Sequence, residues 1–146
     1  MFYTDVPPEP PRHYACYVQA AVDYRLPLGI LPAIAKVEGG EAGMSSQNTN
    51  GTRDHGHMQI NDVWMRHFAQ KGADIAAIKN DVCMSIKAAA YILRVEIDRA
   101  GDFWMGVGRY HSRTPHLHQR YLSKVAPLAA QLEPVYKAFL SNTRLF

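Results

Sequence analysis

The segment from Asp81 to Gly101 constrains the fold more than any other. Cys83, Ile86, Ala90, Leu93 and Ile97 recur at the three- and four-residue spacing that places them on one helical face. Asp81 can cap the first turn with its side chain, and Gly101 accepts the left-handed backbone that closes a last turn. A long helix with one apolar face and both ends marked predicts a central core element. The rest of the punctuation also reads as helix. Tyr17, Ala20, Ala21 and Tyr24 keep helical spacing from about Arg12, Pro27 breaks that run, and Leu28 to Glu38 resumes it with Pro32 in its first turn. Asn61 or Asp62 caps a helix through Trp64 and Phe68, Asp74 a short turn, and Asp102 a helix through Trp104, Val107 and Tyr110. Thr114-Pro115 opens a final helical stretch with breaks expected at Pro127 and Pro134.

Two regions depart from that pattern. Pro7, Pro8, Pro10 and Pro11 exclude regular helix or ladder, so residues 1–11 read as an extended lead-in to a single domain over residues 12–146. Gly39 to Asp54 is rich in Gly, Ser, Asn and Thr, with Asn50-Gly51 as a turn signal, and predicts a long polar loop with a small hairpin around residues 50–60. The class is mainly α with at most that hairpin. Loops of such length in compact domains usually carry function.

Composition narrows the partners. The net charge is +3, with no run of Lys or Arg to mark a nucleic-acid surface, and no apolar run is long enough to cross a bilayer. Cys16 and Cys83 lack metal-type spacing and leave either one disulfide or two buried thiols. If paired, they tie the first helix to the central one, worth roughly 4 kcal/mol by loop entropy. Residues 1–11 show no signal peptide, which fits either a cytosolic protein or a mature form with an added Met.

The chemistry points to Glu38. Leu31, Ile34, Ala35 and Glu38 share one helical face, so a carboxylate continues an apolar stripe, and Gly39-Gly40 should end the helix directly after it. Burial and the negative end of the helix dipole both favour the protonated form, which suits a general acid. The plain alternative is a helix-end Glu that swings into solvent or pairs with Lys36.

Three segments then fall in a telling order. They are Ile34-Ala35-Lys36-Val37-Glu38-Gly39-Gly40, Gly56-His57-Met58-Gln59-Ile60-Asn61, and Val107-Gly108-Arg109-Tyr110-His111-Ser112. This order resembles the soluble lytic transglycosylases, the goose-lysozyme-like enzymes that cleave peptidoglycan. Their small single-domain members accompany type III and type IV secretion systems, conjugation machines and type IV pili. The first segment looks like the family's catalytic-Glu segment, the second like its Gly-Leu-Met-Gln-Ile-Asn run and the third like its Tyr-Asn-Ala-Gly segment. The departures are Gly39 where Ser or Thr is frequent, His57 in place of Leu, and His111-Ser112 in place of Asn-Ala; the latter two could alter the walls of the groove.

The resemblance implies a lysozyme-like α+β fold, no cofactor or metal, and a monomer acting on peptidoglycan strands in the periplasm, with a secretion, conjugation or pilus machine as partner. It also favours a Cys16–Cys83 disulfide. Glu38 would protonate the glycosidic oxygen between N-acetylmuramic acid and N-acetylglucosamine, then take the C6 hydroxyl proton as a 1,6-anhydro ring closes. Gln59, Asn61 and Tyr110 would contact sugar, with Met58 packed beside them and Ser45 or Ser46 reaching in from the loop. Asn61 reads equally as a helix cap, Gln59 as a loop-ordering residue and Tyr110 as a core aromatic. Competing functions are an inverting lysozyme using Glu41 or Asp54 as second carboxylate, a metal site among His55, His57, His111, His116 and His118, and a noncatalytic peptidoglycan-binding scaffold.

Overall fold

The computed structural model describes residues 9–143, so most of the Pro-rich lead-in and residues 144–146 of the expected domain lie outside the described residues. Helix α1 (Tyr14–Asp23) leads through the Pro27 turn into α2 (Ile30–Glu38). The entry to α2 is capped from a distant part of the chain. The Glu133 carboxylate accepts from the Gly29 N–H at 2.8 Å and the Leu28 N–H at 3.2 Å, supplying partners for the first orphan amides. At its other end Gly39 takes the left-handed conformation, φ 67°, which glycine adopts without a Cβ penalty.

The polar segment folds into three short antiparallel strands in the order β1-β2-β3: β1 (Ser45–Gln47), β2 (Arg53–His55) and β3 (Ile60–Asn61). Ser45 pairs with His55 and Asp54 with Asn61. The hairpin expected at 50–60 therefore extends to a third strand. Ser-Ser-Gln has no apolar alternation to announce β1, and it forms because its backbone completes a ladder.

Helices α3 (Asp62–Gln70), α4 (Ile75–Asn80), α5 (Val82–Ala100) and α6 (Phe103–His111) start where the caps predict. Asn61, Asp74, Asp81 and Asp102 each accept a backbone N–H from the first turn. The last element, α7 (Pro115–Thr143), is one helix with Pro127 and Pro134 inside it, so the expected breaks do not occur. Both prolines are exposed, which lets water take the carbonyls they leave unpaired, while Tyr121, Val125 and Tyr136 are buried and hold the helix down.

The core gathers Leu31 and Ile34 of α2, Ile86 and Leu93 of α5, Val107 of α6 and Val125 of α7, all fully buried. Cys16 of α1 and Cys83 of α5 form a disulfide with their Cα atoms 5.3 Å apart. Among the described residues no helix is long and apolar enough to cross a membrane.

Candidate active site

Glu38 ends α2 with its side chain 13% exposed, on the same face as the buried Leu31, Ile34 and Ala35. It borders a cavity of about 270 Å³ between the sheet and the ends of α6 and α7. Gly40 lets the loop cross tightly there. A Cβ at that position would collide with the carbonyl oxygens of Gly56 and His57.

The lining is mixed. Asn48, Asn50, Thr52, Asp54, Gln59 and Asn61 bring polar side chains, and Ile60, Trp64, Ile92 and Leu117 bring apolar ones. A sugar ring, with polar equatorial hydroxyls and less polar faces, matches such a mixed lining.

The polar lining is held by its own hydrogen bonds. The Asn61 amide donates to Thr52 Oγ1 at 3.0 Å and to Asp54 Oδ1 at 2.9 Å, while its Oδ1 accepts from the Val63 N–H at 3.1 Å. Helix cap and cavity lining are thus one residue. Gln59 sits in left-handed backbone, φ 53°, and donates from Nε2 to the Gly56 carbonyl at 3.0 Å. Its loop-ordering bond and its place in the cavity lining coexist.

Tyr110 donates its hydroxyl to the Met58 carbonyl at 2.9 Å, and the Met58 N–H donates to Ser85 Oγ at 3.1 Å. Those two bonds pin the run before β3 to α5 and α6. Burial first, then the negative charges of Glu38 and Asp54, push the Tyr110 hydroxyl well above its ordinary pKa, so it stays a donor. Met58 is fully buried and packs beneath the site without lining it.

Ser45 lies outside the cavity lining, its Oγ 2.8 Å from His55 Nδ1; His55 Nε2 in turn donates to Asp62 Oδ1 at 2.6 Å. This relay ties β1 and β2 to the start of α3. Ser46 also lies outside the lining. His57 points away from the groove, toward α1, where the Tyr17 hydroxyl meets its Nε2. Burial, then the charges of His13 and Arg12, lower its pKa. The idea that His57 reshapes a groove wall is therefore corrected, because the residue braces the loop from behind. His111 does enter the site, with Nδ1 3.7 Å from Glu38 Oε2.

Of the two candidate second carboxylates, Asp54 lines the cavity and Glu41 is exposed outside it. The histidines proposed for a metal are dispersed: His55 serves Asp62, His57 serves Tyr17, His111 faces Glu38 and His118 packs on Gly108. Sequence reasoning missed Trp64, although Trp64 stands three residues after the Asn61 cap and so shares its face. It also missed Asn48, Asn50 and Thr52 in the cavity lining and the buried Tyr121 stacked on His111.

A mainly helical frame with a small three-stranded antiparallel sheet is a lysozyme-like architecture. Residues 15–125 match the family described as Transglycosylase SLT domain, and the chain belongs to that family. It is 29% identical over 126 residues to Protein IpgF of Shigella flexneri, covering 86% of this chain and 79% of the relative. It is 30% identical over 115 residues to Invasion protein IagB of Salmonella typhimurium, covering 75% and 72%.

Proposed function

We propose that this protein is a peptidoglycan lytic transglycosylase with Glu38 as its single acid and base. The observation that carries the reading is the position of that carboxyl, mostly buried yet bordering a cavity lined by both polar and apolar side chains. Protonated Glu38 donates to the glycosidic oxygen between N-acetylmuramic acid and N-acetylglucosamine, and the C1–O bond breaks. The substrate's N-acetyl oxygen stabilises the cationic centre. The Glu38 carboxylate then takes the proton from the C6 hydroxyl as O6 bonds to C1, giving the 1,6-anhydro end and restoring the acid. Gln59 and Asn61 present amides to the sugar, and Tyr110 keeps the loop beneath them in place. The reading places the enzyme in the periplasm, opening the wall locally for a secretion or pilus machine. Family membership and the likeness to Invasion protein IagB support that setting.

Asp54 favours one second reading, because it faces the same cavity and could hold a water for inverting hydrolysis. Mass spectrometry of fragments released from purified peptidoglycan separates the two. Anhydro-muropeptides are expected. Reducing ends would replace the transglycosylase with a hydrolase, and no release at all would favour a binding scaffold.

A further inference from the structure

His111 stands out once the cavity is considered by charge. Two of its lining side chains, Glu38 and Asp54, are carboxylates, and His111 is the one lining residue able to carry a positive charge. Its Nδ1 lies 3.7 Å from Glu38 Oε2, ion-pair range and longer than a direct hydrogen bond. Among the described residues no hydrogen bond engages the Glu38 carboxyl, so its recorded polar partner is this imidazole.

The ring is held in place from below. It lies flat on Tyr121, centroids 4.5 Å apart and planes within 4°. Tyr121 is 3% exposed, and its hydroxyl is buried without a hydrogen-bond partner, so packing fixes that ring. The backbone on either side is fixed as well. Tyr110 is bonded to Met58, the Ser112 N–H closes α6 on the Gly108 carbonyl, and Arg113 reaches the buried Glu96 at 3.4 Å. An imidazole so constrained presents one face to tyrosine and one nitrogen to the carboxyl.

We infer that His111 is a positioning residue for Glu38: clamped on Tyr121, it tethers Oε2 and leaves Oε1 facing the glycosidic bond. This deepens the transglycosylase reading and rests on it. When Glu38 has given its proton to the leaving oxygen, the neighbouring imidazole also steadies the carboxylate until the C6 hydroxyl proton arrives. An amide at this position would offer a neutral dipole and no ring to stack on Tyr121.

The test is turnover of purified peptidoglycan by the full chain carrying His111→Ala, His111→Phe or His111→Asn, with Glu38→Gln alongside. His111→Phe keeps the stack on Tyr121 and removes the polar nitrogen, so it separates orientation of the acid from packing. Ala and Phe are expected to lower kcat about 10–100-fold with KM little changed, the cost of a misplaced reacting group. Asn should recover part of the loss, and added imidazole should restore His111→Ala. Full kcat in the Phe variant, or a loss confined to KM, would overturn the positioning role while an inactive Glu38→Gln left the acid in place. Turnover by Glu38→Gln would instead overturn the reading on which this inference rests.

Discussion

The helical frame and the small sheet are held by different forces. In the frame of α2, α5 and α6, Leu31, Ile34, Ile86, Leu93 and Val107 are fully buried, and the Cys16–Cys83 bridge ties α1 to α5. The sheet is three strands of two or three residues, too short to stand by themselves. It is held by side-chain hydrogen bonds: Ser45 to His55 to Asp62, Asp62 to the Arg53 N–H, and Asn61 to Thr52 and Asp54. Apolar burial is proportional to area and indifferent to pH, whereas hydrogen-bonded relays depend on single atoms and on ionisation. Stability should therefore sit in the frame, and sensitivity of activity to small changes should sit in the sheet.

The largest expected effect is in the frame. Replacing Cys16 and Cys83 by serine removes a cross-link spanning 67 residues of sequence and should cost about 4 kcal/mol in loop entropy. Denaturant melts would show this loss, while turnover well below the transition stays near that of the unmutated protein. Leu93→Ala, at a fully buried site on α5, should cost about 2–5 kcal/mol with a similarly small effect on catalysis. A loss of kcat larger than the loss of stability in either variant would break the division of labour.

Tyr110→Phe straddles the two regions. It removes the donor to the Met58 carbonyl, at about 1–3 kcal/mol for a buried acceptor left unpaired, and kcat should fall further than in Leu93→Ala. Trp64→Ala removes an aromatic wall braced edge-on by His67 and Tyr91. Its signature should be KM raised about 2–10-fold, read by steady-state kinetics, if the ring contributes a typical aromatic contact to sugar binding.

The smallest effect concerns acid. The hydrogen bond from His55 and then that from the Arg53 N–H lower the Asp62 pKa below its ordinary 3.8. A depressed folded pKa means stabilisation that is present above the unfolded value and lost as pH falls through the folded one. Hydrogen exchange in β1 and β2 should therefore accelerate only below about pH 4, and Asp62→Asn should remove that step. Exchange that rises equally in α5 would show that the sheet has no separate acid response.

That contrast also explains what could be read from the chain. Asp81, Asp102 and Gly101 announced α5 and α6 because caps and glycine stops act within one turn, and Glu38 stood out because a charge interrupted an apolar stripe. The strand at Ser45–Gln47 was illegible because its partner is a ladder and not a core. Helix α7 runs through Pro127 and Pro134 because long-range burial of Tyr121, Val125 and Tyr136 outweighs the local break. The motif around Gln59 and Asn61 led to the site, yet His57 within it turns to Tyr17, since which way a side chain faces depends on elements far away in sequence.

The most direct measurement compares Glu38→Gln with Asp54→Asn, each shown by circular dichroism to be folded, for release of anhydro-muropeptides from purified peptidoglycan. If one carboxyl does both proton transfers, Glu38→Gln should release none and Asp54→Asn should still form the anhydro product. Turnover surviving in Glu38→Gln, or abolished in Asp54→Asn with reducing ends from the unmutated protein, would contradict it.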